Sequence, residues 1–206
     1  ASIEMRDKRR ILLYGLPTLE AGSRSPLILD HVTRALLDKD DKASNEQALK
    51  YSRLLIEILT DQRKSQLEAK ELAQARGRRL DETEYAIARA YTFESRALGN
   101  LGRYEEALTI YGKALAMDKD EPTALSDRAY ALMKLGRNQE AMADVERSLK
   151  SYPSNAFALR TRAMLRLAKG EREKACSDLH LARIIGGVKE VDQLLEKNCA
   201  GLQPKR

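Results

Sequence analysis

The chain of 206 residues has no tryptophan, two phenylalanines, two cysteines, two histidines and five prolines. Each scarcity removes a class of chemistry. His31 and His180 are each far from a cysteine in sequence, and neither stands at a metal-ligand or nucleophile-base spacing, so nothing proposes a zinc site or a Cys-His pair. His180, between Leu179 and Leu181, reads as an exposed or partly buried helix position. No run approaches the roughly 20 apolar residues that a membrane-spanning helix requires. No glycine loop follows a strand pattern, and no strand is predicted. The expectation is a non-enzymatic protein with no catalytic residue, metal or cofactor. No secretory signal is present, but the chain starts at Ala1, which a removed leader or a tag scar would equally explain, so that absence decides little.

What the chain does contain is a ladder. Gly102, Gly136 and Gly170 recur every 34 residues, and Ala107, Ala141 and Ala175 follow them at a constant distance of five. Further columns keep the register: Ser95, Ala129 and Ala163; Tyr111, Val145 and Leu179; Ala114, Ser148 and Ala182. Small residues at a helix crossing let two backbones approach to roughly 8 to 10 Å. A glycine between the helices supplies the positive φ that ends the first one at little cost. A fixed period of this length means stacked copies of one helical unit, an architecture that favours binding over catalysis.

These columns resemble the tetratricopeptide repeat family, whose 34-residue unit is helix A, a tight turn and helix B. The resemblance implies an all-α, right-handed superhelical solenoid. Three units match, at residues 88–121, 122–155 and 156–187. Residues 1–42 read as irregular N-terminal helices and a loop, 43–87 as a degenerate hairpin with an extended following helix, and 188–206 as a capping helix and tail.

Within the N-terminal part, residues 3–14 are expected to form a short helix and residues 15–25, with one proline and two glycines, a loop. Ser25 and Pro26 read as N-cap and first helical residue of a helix through Leu36 and Leu37. Ser44 with Gln47 reads as a capping box before the apolar face of Ala48, Tyr51, Leu55 and Leu59. After Thr60 and Asp61 the pattern resumes at Leu67 and stops at Gly77, so residues 44–77 read as a fourth hairpin. One unbroken helix of about 50 Å is the alternative. Asp81 and Glu84 read as a further capping box. At the other end Gly186 and Gly187 close the last repeat, and Val188, Val191, Leu194 and Leu195 outline the cap that a solenoid needs over its last apolar side.

Position seven of the family unit is usually leucine, but here it carries Glu94, Arg128 and Arg162. Asp144 and Asp178 stand sixteen residues after the two arginines, at similar height on the second helix, which predicts an ion pair inside each of those repeats. The first unit has Ile110 there and lacks the pair.

In the family, helix A lines a concave groove. Mapped onto this chain, its positions are Arg89, Thr92, Arg96 and Asn100 in the first unit; Thr123, Ser126, Tyr130, Met133 and Lys134 in the second; and Phe157, Arg160, Met164 and Leu167 in the third. The resemblance therefore implies a scaffold or adaptor that binds a peptide or protein segment. Acidic residues of the ligand would lie towards Arg89 and Arg96, and an apolar anchor near Phe157 and Met164. Helix-to-helix packing is the structural alternative for the last two. Relatives that hold the carboxylate tail of heat-shock chaperones use lysine, asparagine, asparagine, lysine and arginine at defined positions. Those positions are Thr92, Arg96, Asp127, Phe157 and Thr161 here, so such tails are not the expected ligand.

Cys176 and Cys199 flank the Gly186–Gly187 turn at nearly equal distances, so an antiparallel arrangement returns them to similar height. A disulfide is open to them if their Cα atoms come within about 7 Å, and would place the protein in an oxidising compartment such as a bacterial periplasm or cell surface. The closing stretch, Ala175 to Leu179 and Leu194 to Cys199, resembles the last unit of exported repeat proteins from Bacteroidetes-like bacteria. Two half-buried thiols in a cytoplasmic protein are the alternative.

The net charge of +6 raises a second function class. Lys8, Arg9 and Arg10, and Arg76 with Arg78 and Arg79, are candidates for nonspecific contact with nucleic acid or an anionic surface. Interspersed acids and the lack of interleaved aromatics argue against it. A third class is self-association as a homodimer, since the stretch from Leu54 to Leu59 carries Ile56 and Ile58 on a different face from Leu55 and Leu59.

Overall fold

The structure is a computed structural model that describes residues 3–39, 41–73, 79–186, 188 and 190–200, with side chains from residue 7 onward and outside 68–82. Among the described residues every regular element is a helix: α1 (Ile3–Glu20), α2 (Pro26–Leu37), α3 (Lys42–Ala73), α4 (Arg79–Asn100), α5 (Tyr104–Met117), α6 (Pro122–Lys134), α7 (Asn138–Ser151), α8 (Ala156–Ala168), α9 (Arg172–Ile185) and α10 (Val191–Asn198). They fall into two compact units, Ala1–Asp118 and Lys119–Arg206. Within each unit successive helices pack as stacked hairpins, the all-α repeat architecture that the glycine ladder predicts.

The turns carry the ladder. Gly102, Gly136 and Gly170 have φ of 77°, 76° and 79°, a left-handed conformation that costs glycine little. Each closes the helix before it with the same pair of hydrogen bonds: Arg137 N–H donates to Leu132 O at 2.9 Å and Gly136 N–H to Met133 O at 3.0 Å, and the other two turns repeat this geometry. The small-residue columns are fully buried, with Ser95, Ala129, Ala163, Ala107, Ala141 and Ala175 at 0% exposure.

In the first unit α1 packs on α2, α2 on α3, α3 on α4 and α4 on α5. Several expectations need correction here. Residues 15–20 are helical rather than loop, and α1 passes through Pro17 to Glu20. Leu19 is buried, which holds the last turn on the core, and Thr18 Oγ1 donates to Tyr14 O at 2.6 Å. Gly15 permits the close approach of α1 to α2, because a Cβ there would overlap Val32 Cγ2.

Helix α2 begins at Pro26 as expected, although the Ser25 side chain makes no cap. Helix α3 begins two residues before Ser44, so Ser44 is not its N-cap. Asp41 caps it, accepting from Ser44 N–H at 2.9 Å and from Ser44 Oγ at 2.7 Å. The Ser44 amide bond is the largest of the effects that hold the Asp41 carboxyl below its ordinary pKa.

Residues 44–73 form one continuous helix, not a hairpin. Thr60 and Ser65, where a break was expected, direct their hydroxyls back to Ile56 O (2.7 Å) and Asp61 O (3.0 Å), so their polar groups are satisfied without leaving the helix. The expected stop at Gly77 lies outside the described residues. Asp81 is inside α4 rather than at its cap, since α4 starts at Arg79. Glu84 pairs instead with Arg63 of α3.

The fourth hairpin is built from α2 and the first half of α3. Thr33, Asn45, Leu49 and Ser52 are all buried, and each precedes its counterpart among Ser95, Ala107, Tyr111 and Ala114 by the same 62 residues. Leu55 and Leu59 are buried and Leu54, Ile56 and Ile58 are half-buried, so much of the apolar surplus on α3 is covered within the unit. Glu94, at the irregular position seven, is buried and accepts from Arg53 Nε of α3 at 2.7 Å.

In the second unit α6 pairs with α7 and α8 with α9, while α8 also packs on α6 and α7. The Asn155 side chain ties the hairpins together: its amide donates to Pro122 O (3.1 Å) and Ser148 Oγ (2.9 Å), and Oδ1 accepts from Ala158 N–H at 3.3 Å as the cap of α8. Both predicted ion pairs are present. Arg128 donates to both carboxylate oxygens of Asp144 at 2.6 and 2.7 Å, and Arg162 to both of Asp178 at 2.9 and 2.7 Å. Asp178 accepts a third bond from Arg166 at 2.7 Å.

The last side of the stack is covered by α10. Val191, Leu195 and Cys199 join Leu159, Ala163, Ala175, Cys176 and Leu179 in one core. The cap helix starts at Val191, with Val188 ahead of it yet packed against the same core. Cys176 and Cys199 are joined by a disulfide, with Cα atoms 5.7 Å apart.

Candidate functional site

The groove positions on α4 of the first unit are used largely for packing. Arg89 Nε donates to Asp30 Oδ1 of α2 at 2.8 Å, and the same buried carboxylate receives Arg34 at 3.1 Å. The Arg89 guanidinium also lies 5.6 Å over the Tyr85 ring. Thr92 is buried and donates to Ala88 O at 3.1 Å. Asn100 donates to the buried Asn45 side chain at 3.0 Å, and Arg96 is half-buried. Arg34 and Arg89 share the one Asp30 carboxylate, so part of the charge expected to attract an acidic ligand is balanced inside this unit.

The second unit is different. Its helix A elements, α6 and α8, bring Tyr130, Lys134, Phe157 and Arg160 together. The Arg160 guanidinium lies 4.7 Å from the centre of the Tyr130 ring and 5.7 Å from that of Phe157, and Lys134 Nζ stands 5.1 Å from Tyr130. Cations over ring faces are attracted by the ring quadrupole, the more so where water is excluded. Arg160 is 9% exposed, whereas Phe157 is 38% exposed and Lys134 is open to solvent. Met164 is half-buried one helical turn along α8. Ser126 is buried and bonded to Thr123 O at 3.0 Å, so it belongs to the frame.

Two residues that sequence reasoning did not connect to this cluster are Glu190 and Thr161. Glu190, just ahead of α10, accepts from Arg160 Nη1 at 2.6 Å. Thr161 is buried and donates to Phe157 O at 3.0 Å, fixing the start of α8. The 30-residue separation of Arg160 and Glu190 matches no repeat column, so no sequence signal marks that pair.

No catalytic grouping accompanies these residues. Among the described residues no three of His, Cys, Asp and Glu are placed to hold a metal ion. No described helix is long and apolar enough to cross a membrane. His180 is half-buried on α9, with Arg183 3.5 Å from its Nδ1. Of the basic clusters, Lys8 pairs with Asp38 at 3.0 Å, and Arg76 and Arg78 lie outside the described residues.

Comparison with known proteins agrees with the geometry. Residues 94–156 match the family model described as tetratricopeptide repeat. No curated protein matches the chain. Among solved structures, a tetratricopeptide repeat protein from Parabacteroides merdae is 19% identical with a TM-score of 0.52, the match covering 95% of this chain and 79% of that one. The first TPR domain of human RPAP3 is 23% identical with a TM-score of 0.52, covering 57% and 94%. The first TPR of Spaghetti (RPAP3), solved with an HSP90 peptide, is 23% identical with a TM-score of 0.50, covering 56% and 92%. At these identities the likeness is one of fold. Residues 94–156 thus match the tetratricopeptide repeat by sequence, and the stacked hairpins have the fold of tetratricopeptide repeat proteins.

Proposed function

We propose that the protein is a non-enzymatic interaction module that binds a peptide or protein segment on the helix A face of its second unit. The observation that carries this reading is the grouping of Tyr130, Lys134, Phe157 and Arg160 from two neighbouring helices, apolar and cationic at once and partly open to solvent. Aromatic and arginine side chains are the residues that most often dominate binding interfaces. Phe157 and Met164 supply the apolar anchor, and the positive charge beside them favours an acidic neighbour in the ligand.

The peptide-bound relative supports binding in this fold, while the ligand chemistry differs. Thr92, Arg96, Asp127, Phe157 and Thr161 replace the residues that hold a chaperone tail, so we infer a different ligand for this chain. The disulfide supports work in an oxidising compartment, in keeping with an exported bacterial protein.

Selection of binding peptides from a displayed random library tests the reading. Selected peptides are expected to pair a large apolar residue with an acidic one and to shift backbone amide resonances of α6 and α8. Binding that is unchanged in Phe157→Glu, with the fold intact by circular dichroism, would overturn the assignment of this face.

A further inference from the structure

Arg160 is the most buried cation of the grouping, and its surroundings do not fully satisfy it. One guanidinium nitrogen reaches the Glu190 carboxylate, while Nε is buried with no hydrogen-bond partner. An unmade bond on a buried charged group is costly, so a polar group fitted to that position has something to gain. The rings of Tyr130 and Phe157 flank the guanidinium and restrict its approach by water.

Glu190 is an unusual neighbour. It occupies the N-cap position of α10 yet its side chain makes no cap hydrogen bond. Its side chain is about half exposed and turns to Arg160 of α8 instead. The position of α10 does not depend on this contact, because Val191 and Leu195 are in the core and Cys199 is bonded to α9. A carboxylate half in water can therefore leave the arginine without unseating the helix that carries it.

We propose that Arg160 is a carboxylate-binding site for an acidic side chain of a partner peptide, and that Glu190 is its resident intramolecular occupant. This rests on the reading of the α6–α8 face as the docking surface and adds the chemistry of its polar contact. A carboxylate suits the site by charge and by the demonstrated fit of Glu190 on Nη1, whereas Nε lies on the other edge of the guanidinium and takes no part in that pairing. Because the resident acid competes with the incoming one, apparent affinity is scaled by the fraction of molecules in which Arg160 is free. Lys134 adds to the positive field without a role in the pairing.

The test uses the intact protein and a fluorescein-labelled, C-terminally amidated peptide, Gly-Ser-Glu-Phe-Glu-Leu-Gly-Ser, followed by anisotropy. Glu190→Gln is expected to bind it about 5-fold more tightly than the unaltered protein, as removal of a competing occupant predicts. The gain should vanish in the Arg160→Lys, Glu190→Gln double variant and with a peptide carrying glutamine for glutamate. Because Arg160 is buried, a second readout is the Nε–H resonance of Arg160 in the Glu190→Gln protein, which should move on addition of the peptide. An affinity that does not rise in Glu190→Gln, a gain that persists with the glutamine peptide, or a preference for a free C-terminal carboxylate would each overturn the assignment. If the peptide binds α6 and α8 in all of these proteins equally, the docking face stands and only the role of Arg160 and Glu190 falls.

Discussion

Arg128 on α6 grips Asp144 on α7 through two hydrogen bonds of 2.6 and 2.7 Å, closing a hairpin at a position where relatives place leucine. The Asp144 side chain is 6% exposed and that of Arg128 25%, so the pair is largely desolvated. Removing one partner leaves a buried charge unpaired, which costs more than the pair itself contributes. Asp144→Ala is therefore expected to destabilise the second unit by about 2 to 3 kcal/mol, read as a lower urea midpoint with unchanged slope. Arg128→Leu combined with Asp144→Leu should recover most of that loss. A double variant no better than the single one would mean that the pair is irreplaceable at this crossing.

The bond between Cys176 and Cys199 closes a separation of 23 residues and holds the cap on the last hairpin. A loop of that order is worth about 3 kcal/mol in the unfolded-chain model. Reduction, or the Cys176→Ala and Cys199→Ala pair of changes, should lower the unfolding midpoint of the second unit. Mass spectrometry of the unreduced protein should show no thiol that iodoacetamide can reach even in denaturant. Two labelled cysteines in protein prepared under oxidising conditions would refute the bridge.

Asp41 holds the first turn of α3 through the amide and hydroxyl of Ser44. Its carboxyl pKa is lowered in the folded chain, so its contribution is fully present above the ordinary carboxylate range, near pH 4, and is lost as pH falls through the depressed folded value. Protection of the amides at the start of α3, relative to intrinsic exchange at the same pH, should fall below about pH 4 in the unaltered protein. Asp41→Asn should keep a cap while abolishing that pH dependence, and Asp41→Ala should accelerate exchange at every pH.

Gly15 is expected to be intolerant of even a methyl group, since Val32 occupies the space a Cβ needs. Gly15→Ala should destabilise the first unit by about 1 to 3 kcal/mol through overpacking. Adding Val32→Ala should restore part of the loss, and a double-mutant cycle measures that coupling. Additive effects would show that the two residues are not in contact.

The repeat hairpins were legible because their determinants are local. A glycine at Gly136, an alanine at Ala141 and a small residue at Ala129 each serve one turn or one crossing, and their spacing appears directly in the chain. The pairs Arg128–Asp144 and Arg162–Asp178 could be read for the same reason, as both partners lie in one repeat. The hairpin of α2 and α3 is hidden in the chain because Asn45 and Ser52 stand where Ala107 and Ala114 do, and because 28 extra residues break the period. A break was then read at Thr60, where hydroxyl-to-carbonyl bonds hide the polar side chains inside a continuous helix.

The groove was legible only in part. Arg89 and Phe157 occupy comparable family positions, but what each can do depends on residues far away in sequence. Asp30, 59 residues before Arg89, holds its guanidinium together with that of Arg34, and Glu190, 30 residues after Arg160, holds the cation beside Phe157. Charge balance across such distances is a property of packing and leaves no period to detect.

The offset of 62 residues between the α2–α3 hairpin and the next one exceeds the repeat period by 28. Of that surplus α3 takes 14 residues beyond Leu59, close to four turns at about 3.6 residues per turn, and α4 takes nine ahead of Ala88. Lengthening a helix by whole turns returns its next residue to the same angular phase. The surplus stands in the chain as an inserted spacer, and joining Leu59 directly to Ala88 would give an unbroken 34-residue rhythm from Pro26 to the last repeat.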